Sequence, residues 1–218
     1  MNSAVHVLTR RPTRRLLICV LVTALAGAVG VSPGSAGPLD PVLVPCTGQT
    51  LSKPFLPWLD PGNYELAANG GFESTGAWTL TGGAKIVAGN ESFNVGGPGD
   101  SRSLSLPSGS SATSGAICIG TLSPTLRFFA LNTGSALATM KVEVIYRNIL
   151  GLTQTVRIGL VEAGSSWQPT LPVLVLANLT ALPLLTNGST NVAFRFTPQG
   201  SAASWRIDDV YVDPYKGS

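Results

Sequence analysis

The segment Trp205-Arg206-Ile207-Asp208-Asp209-Val210-Tyr211-Val212-Asp213 places two adjacent carboxylates between aliphatic residues near the end of the chain. Side chains alternate between the two faces of a strand, so one of the two acids must point the same way as the buried valines. Alternation puts Asp208 in phase with Val210 and Val212. A buried carboxylate is costly unless it meets a cation, N–H donors or a metal. The segment therefore predicts a structural ion site.

Short alternating or apolar runs separated by turn residues fill most of the remaining chain, and no long helical period is present. The clearest runs lie at 126–130, 140–147, 155–160 and 192–197. Within the last three, alternation predicts that one face carries, run by run, Met140, Val142, Val144 and Tyr146; Val156, Ile158 and Leu160; and Val192, Phe194 and Phe196. Turn signals between such runs include Gly82-Gly83, Gly96-Gly97-Pro98-Gly99 and Asn187-Gly188. This pattern is typical of an all-β sandwich. The length after the first 36 residues, about 180, fits a single domain.

The first 36 residues have the composition of an export signal. Four arginines at its start (Arg10, Arg11, Arg14 and Arg15) precede a short apolar core at 16–29, and small residues follow at 34–36. We predict a secretory signal peptide over 1–36, with cleavage after Ala36 or alternatively after Ala26 or Ala28. The apolar run is too short for a lasting membrane span. The mature protein is therefore expected to be secreted, extracellular or in the cell envelope, with no membrane span.

Loss of this segment changes the charge balance. The whole chain has 14 Lys+Arg and 11 Asp+Glu, a net charge of +3. Removing the four arginines leaves ten basic residues against eleven acidic ones, a net charge near −1. The only histidine, His6, leaves as well. These losses argue against nucleic-acid binding and exclude a Ser-His-Asp triad or a histidine-ligated metal.

Two cysteines remain after export, Cys46 and Cys118. An even pair in an exported protein predicts one disulfide. In the chain-entropy account, closing a loop of about seventy residues stabilises the fold by roughly 4 kcal/mol. The bond is expected to tie a proline-rich N-terminal arm, residues 37–65, to the β-sandwich domain, residues 66–218.

A second motif, Asn69-Gly70-Gly71-Phe72-Glu73, lies near the start of the domain and is followed by Trp78. Together with the closing segment 205–212, it resembles the galactose-binding-like jelly roll of carbohydrate-binding modules, chiefly the xylan- and glucan-binding modules of secreted glycoside hydrolases. The resemblance covers roughly 66–213. It implies a jelly-roll β-sandwich in which the opening and closing segments lie side by side and hold a structural calcium ion.

Carried over to this chain, the resemblance implies that Glu73 and one of Asp208 and Asp209 supply carboxylate ligands, and that Gly71 offers its carbonyl oxygen. Oxygen ligands of this kind suit calcium. The phase of the strand makes Asp208 the preferred buried ligand. The alternative is that Glu73 and Asp208 cap turns or pair with arginine.

Glycan binding is expected on a sheet face turned away from the core. If the alternation holds, that face carries planar donors, an acid and an aromatic ring, namely Arg127, Phe129, Glu143, Arg147, Arg157 and Arg195, with Lys141 beside them. Such a surface can bind the hydroxyls of a polysaccharide or cell-wall glycan. The alternative for the same residues is a solvated outer face with Arg–Glu pairs.

The predicted function is that of a secreted, non-catalytic carbohydrate-binding protein with a structural calcium site. One alternative is a cell-envelope or surface protein that uses the same sandwich for structural or assembly contacts with other proteins. Another is a small glycoside hydrolase. That activity needs a pair of carboxylates across a cleft, and no pair stands out in the sequence.

Overall fold

The computed structural model describes residues 46–120, 124–148, 150–175 and 189–215. The predicted signal peptide, 1–36, and the start of the arm, 37–45, lie outside these residues. The described chain is built from strands and one 3-10 turn, Leu56–Trp58, without an α-helix. No helix in these ranges is long and apolar enough to cross a membrane.

The strands are, in chain order, β1 Leu51–Ser52, β2 Tyr64–Leu66, β3 Trp78–Thr81, β4 Lys85–Ala88, β5 Arg102–Pro107, β6 Ser111–Ser114, β7 Ile117–Gly120, β8 Thr125–Asn132, β9 Thr139–Arg147, β10 Thr153–Val161, β11 Gln168–Pro169, β12 Val173–Leu174, β13 Ser189–Gln199 and β14 Ser204–Asp213.

Two antiparallel sheets pack face to face in a jelly-roll sandwich. In sheet I the order is β1-β2-β14-β5-β4, with β8 also paired to β14 and with β11 and β12 paired to β8. In sheet II the order is β10-β9-β13-β6-β3, with β7 also paired to β13. The all-β prediction is confirmed.

The core lies between the sheets and follows the predicted alternation of β9 and β13. From sheet II it receives Met140, Val142, Val144, Tyr146, Val192, Phe194 and Phe196, and from sheet I Leu126, Phe128, Trp205, Ile207, Val210 and Val212. Phe128 and Phe196 meet across the sandwich with their ring centroids 5.1 Å apart. Each side chain buried here contributes about 1.5–3 kcal/mol, so this interface fixes how the two sheets face one another.

Strand β10 departs from its predicted pattern. Val156 lies opposite the core residue Val144, but the register shifts between Arg157 and Gly159, and Leu160 then lies opposite Lys141. A bulge of this kind reverses the alternation that follows it. The prediction that Leu160 shares a face with Val156 is therefore wrong, and Leu160 is 52% exposed on the outer side of sheet II.

The outer face of sheet I is covered by the arm rather than open to solvent. Phe55 of the arm stacks on Phe129 of β8 with centroids 5.6 Å apart. Arg127 donates from Nη1 to Asp60 Oδ2 at 2.7 Å and from Nε to the Thr170 carbonyl at 2.8 Å. Both β8 side chains are buried, Arg127 at 4% and Phe129 at 0% exposure. Because β8 belongs to sheet I, the prediction that Arg127 and Phe129 share a face with Glu143 is wrong.

The predicted disulfide joins Cys46 to Cys118, whose Cα atoms lie 5.2 Å apart. Ile117 and Ile119 face the core, so alternation directs Cys118 to the outer face of sheet II. The Tyr215 hydroxyl donates to the Cys46 carbonyl at 3.0 Å. The disulfide therefore fixes the described start of the arm to β7, and the Tyr215 hydrogen bond links it to the segment after β14.

Candidate functional site

The closing strand changes phase at its two adjacent acids. The pairing of β14 with β8 shifts between Asp208 and Tyr211, and Asp208 lies opposite Phe129, on the outer face of sheet I. Asp209 takes a φ of 47°. The prediction that Asp208 is in phase with Val210 is therefore wrong, because the extra residue of this bulge reverses the alternation. Both carboxylates are nevertheless fully buried, with 0% exposure.

Among the described residues, each buried carboxylate meets backbone N–H donors rather than a cationic side chain. Asp208 accepts from Glu91 N–H at 3.0 Å and from Asp209 N–H at 2.9 Å. Asp209 Oδ2 accepts from Gly96 N–H at 3.2 Å. Asp209 Oδ1 is buried and has no hydrogen-bond partner in the described part of the chain. Such an orphaned oxygen is rare and costly in a folded protein.

Burial is the main reason that the aspartate pKa values at this site are raised. It raises the pKa of Asp208 to about 9, to which the neighbouring Asp209 charge contributes. Burial also raises the pKa of Asp209 to about 7, assisted by the charges of Asp100 and Glu91. The protein on its own therefore favours the protonated form of both carboxyls more than an exposed position would, and a bound cation would reverse that preference.

Glu91 is a functional candidate that sequence reasoning missed. It is 1% exposed and accepts from the backbone N–H groups of Phe93 and Val95, the latter at 2.6 Å. Its loop runs along the outer side of β14. The glycine-rich turn at 96–99 indicated a loop in the sequence. The sequence did not indicate that this loop packs beside Asp208, because the two are more than one hundred residues apart.

The opening motif lies against the closing strand, as the resemblance implied. Val210 N–H donates to the Gly70 carbonyl at 3.1 Å, and Ala67 N–H donates to the Val210 carbonyl at 2.9 Å. A Cβ added to Gly71 would lie 3.2 Å from Asp209 Oδ1. The backbone at Gly71 therefore approaches the same oxygen that lacks a partner.

Glu73 is engaged mainly as an acceptor for the start of β5. Its carboxylate accepts from Ser101 N–H at 2.8 Å, Ser101 Oγ at 3.0 Å and Arg102 N–H at 2.7 Å. Desolvation alone would raise the pKa of Glu73, but these hydrogen bonds outweigh it and lower the pKa. Its charge also raises the pKa of Asp100, after burial as the larger cause. The contacts of Glu73 match the turn-capping alternative while keeping it beside the other acids.

The carboxylates do not converge closely enough to form a metal site by themselves. Within the described ranges, no group of three or more His, Cys, Asp or Glu side chains is arranged to hold a metal ion. Two acids come together at Gly96, where an added Cβ would meet both Asp100 Oδ2 and Asp209 Oδ1. A cation at this point would therefore need backbone carbonyls or water as further ligands.

The outer face of sheet II carries the second candidate site. Five side chains lie side by side across β3, β6, β13, β9 and β10, namely Thr79, Thr113, Arg195, Glu143 and Arg157. At the usual strand spacing this row is about 19 Å long. A neighbouring row contains Thr197, Lys141 and Leu160. Arg147 lies further along β9, beyond the buried Ile145.

Glu143 is the centre of an ion-pair network in this row. Arg195 Nε donates to Glu143 Oε2 at 2.8 Å, and Lys141 Nζ donates to Glu143 Oε1 at 3.0 Å. Burial alone would raise the pKa of Glu143, but the bonds from Arg195 and Lys141 lower it overall. Four of the six predicted ligand residues therefore share one face, namely Glu143, Arg147, Arg157 and Arg195. The Arg195–Glu143 ion pair on this face is of the kind that the solvated-face alternative predicted.

Aromatic rings are not part of this row. Trp205 is fully buried in the core, and Trp78 packs between Phe72 and Phe196. Trp58 contacts Phe93 and Phe129 on the side of sheet I. The described face of sheet II therefore offers hydrogen-bonding and charged groups rather than a stacking platform.

Comparison with known proteins gives similar folds among solved structures. No protein-family model matches the chain, and no curated protein matches it. The xylan-binding domain CBM22-1 of Paenibacillus barcinonensis Xyn10C is 15% identical, with a TM-score of 0.45, over 66% of this chain and 90% of that one. The CBM22-1–GH10 modules of the Clostridium thermocellum xylanase Xyn10B, complexed with xylohexaose, are 17% identical with a TM-score of 0.46 over 65% of this chain.

The chain spans only 26% of that Clostridium thermocellum protein. A further similar structure is TmCBM61 in complex with β-1,4-galactotriose, which is 14% identical with a TM-score of 0.40, over 66% of this chain and 94% of that one. The resemblance to carbohydrate-binding modules seen in the sequence is thus found again among solved folds. At these identities the likeness does not extend to individual site residues.

Proposed function

We propose that the protein is exported and binds a polysaccharide on the outer face of sheet II without hydrolysing it. The observation that carries the proposal is the row in which Arg195 and Arg157 flank Glu143. Three charged side chains with two threonines alongside form a line of donors and acceptors about 19 Å long. A line of this kind matches a chain of sugar rings, each with several hydroxyls.

The row is organised before any ligand arrives. Glu143 is held by Arg195 and Lys141, so its oxygens are fixed in place and little side-chain freedom is left to lose on binding. Arginine presents planar, directional donors that suit neighbouring hydroxyls. The Cys46–Cys118 disulfide supports export, because disulfides persist in oxidising compartments.

A structural calcium ion beside the bulge of β14 is the second part of the proposal. It is supported by Asp209 Oδ1, a buried oxygen without a partner, and by the approach of Asp100 and Gly71 to that oxygen. Asp209 and Asp100 would supply carboxylate oxygens and Gly71 its carbonyl, with Glu73 and Asp208 contributing charge at the periphery. Such an ion would join the opening motif, the loop at 90–100 and β14.

The glycan proposal is tested by co-sedimentation with insoluble polysaccharides, beginning with xylan and β-1,4-galactan. We expect the wild-type protein to sediment with at least one of them, and Arg195→Ala and Arg157→Ala each to lose most of that binding. The matched control is Arg102→Ala, because Arg102 is an exposed arginine on sheet I. Equal binding by all four proteins would contradict the assigned face. Release of reducing sugar would contradict the non-catalytic assignment.

Assembly with other proteins is a second candidate, favoured by one edge of the sandwich. Leu160 of β10 is 52% exposed, Leu171 is 83% exposed and Leu174 of β12 is 45% exposed. These leucines border a groove of about 680 Å³ between the edges of the two sheets. If this edge mediates assembly, sedimentation velocity would find the wild type larger than a monomer and Leu160→Ser with Leu171→Ser monomeric. A monomeric wild type that still binds glycan would exclude self-association through this edge.

A further inference from the structure

The outer face of sheet I carries a row of polar side chains across three strands. Ser105 of β5 lies opposite Lys85 of β4 on one side and opposite Arg206 of β14 on the other. Because their neighbours Leu104 and Ile207 face the core, alternation directs these three side chains to the outer face. We call them the basic row. Its two cations are attached to the sheet two strand spacings apart, which is about 10 Å.

The guanidinium of the basic row is held in place by its own sheet. Arg206 donates from Nε to Ser103 Oγ at 2.9 Å and from Nη2 to the Ala88 carbonyl at 2.7 Å. Its Cζ lies over the Trp167 ring, 5.7 Å from the centroid, and Trp167 packs against the aromatic cluster under the arm. Arg206 Nη1 donates to none of the described residues. The group is therefore ordered in advance and keeps donors for a ligand.

The charge of the basic row is not neutralised within the protein. Among the described residues, no carboxylate pairs with Lys85, which is exposed, or with Arg206, which is half-buried. Asp208 faces the same side of β14, but it is fully buried and accepts from backbone N–H groups. On sheet II, by contrast, Glu143 pairs with Arg195. Two cations without an acid are complementary to a ligand that brings carboxylates.

We propose that the basic row binds an acidic polysaccharide, a chain of uronate sugars whose carboxylates meet Lys85 and Arg206. A guanidinium offers planar, charge-assisted hydrogen bonds to a carboxylate. The Ser105 hydroxyl lies between the two cations and can bond a sugar hydroxyl. The half-buried ring of Trp167 can pack on the apolar side of a sugar. This inference rests on the proposed function only in taking a polysaccharide as ligand, and it uses the opposite sheet.

The test compares a short galacturonate oligomer with its methyl ester, which has the same sugars without their charges, in NMR titrations of the protein. We expect the acid to shift the Arg206 Nε–H resonance and to bind about tenfold more tightly than the ester, as for two partly exposed ion pairs. Lys85→Gln should weaken binding of the acid about threefold and leave the ester unchanged. The matched controls Lys53→Gln, on the arm, and Arg157→Gln, on sheet II, lose the same charge and should keep the wild-type affinity.

Four results would overturn the proposal. The first is absence of binding by the acid, and the second is equal affinity for the acid and the ester. The third is an equal loss in Arg157→Gln and Lys85→Gln, which would place the acid elsewhere. The fourth is equally tight binding of a glutamate oligomer of the same length, because charge alone would then explain the affinity.

Neutral polysaccharides test the proposed function separately. Loss of neutral xylan or galactan binding in Arg195→Ala, with galacturonate binding retained, is the expected result if the two faces act independently. Galacturonate binding in a protein that ignores neutral polysaccharides would contradict the sheet II face alone. The converse would contradict the basic row alone.

Discussion

Asp208 of β14 lies directly opposite Phe129 of β8, on the side of sheet I away from the core residue Val210. The bulge that causes this also buries the Asp209 carboxylate and leaves its Oδ1 without a partner. Two adjacent acids are therefore kept inside the protein by the shape of one strand. The stability of the metal-free protein must reflect that cost.

The first prediction concerns pH in the presence of a chelator. Folding raises the pKa of Asp209 to about 7 and that of Asp208 to about 9, from about 3.9 in the unfolded chain. The folded state therefore binds more protons, and stability that is fully present below pH 4 is lost as the pH rises through these values. Thermal melts in EGTA should show a falling melting temperature between pH 5 and pH 8. A melting temperature that stays constant or rises over this pH range would contradict the raised pKa values of Asp208 and Asp209.

The second prediction concerns calcium and Asp209. Calcium at about one hundred times its dissociation constant adds roughly 2.7 kcal/mol to the stability, which corresponds to a rise in melting temperature of about 5 °C or more for a domain of this size. The rise should be larger at pH 8 than at pH 5, because ligand carboxyls must lose their protons.

The variant Asp209→Asn tests whether calcium binds at Asp209. In EGTA at pH 8 this variant should be at least as stable as the wild type, since it lacks the buried charge. In calcium it should gain little, whereas the surface control Glu162→Gln should gain as much as the wild type. A full calcium response in Asp209→Asn would remove Asp209 from the site.

The third prediction concerns the ion pair that fixes the arm on sheet I. Arg127 Nη1 and Asp60 Oδ2 are 2.7 Å apart, and Arg127 also lies over the Phe55 ring at 4.2 Å. Asp60→Ala should lower the free energy of unfolding by about 3 kcal/mol, because it leaves a buried charge unpaired. Adding Arg127→Met should recover part of that loss in urea unfolding. A double variant with the summed loss of the two single ones would show that the residues act separately.

The fourth prediction concerns Cys46 and Cys118, which lie 72 residues apart. Replacing both by serine should destabilise the protein by about 4 kcal/mol, because the unfolded chain regains the conformational entropy that the disulfide loop had removed. Reductant should lower the melting temperature of the wild type and leave the double serine variant unchanged. Insensitivity of the wild type to reductant would contradict a structural role for this bond.

Alternation along the strands predicted most of the core. The sequence correctly predicted the buried faces of β9, with Met140 and Val142, and of β13, with Phe194 and Phe196. A period of two identifies the buried face within a regular strand. The cysteine pair was also predictable, since only two cysteines lie outside the predicted signal peptide. The opening and closing motifs lie together as the family resemblance implied.

The errors share one physical cause, which is that alternation is a local signal. It did not reveal the bulges at Asp208 and at Arg157, where one extra residue reverses the faces. It also could not assign β8 to a sheet, so Arg127 and Phe129 were grouped with Glu143. Their burial depends on Phe55 and Asp60 of the arm, which lie more than sixty residues away in sequence.

The most direct test of the glycan-binding face is a titration of the wild-type protein with a soluble polysaccharide that it co-sediments with, observed through the arginine Nε–H resonances. Arg195 and Arg157 report on the row beside Glu143, whereas Arg102 and Arg206 report on sheet I. We predict that the first two shift and saturate together while the other two stay unchanged. Shifts confined to Arg102 or Arg206, or none at all with a polysaccharide that binds, would contradict the assignment of this face.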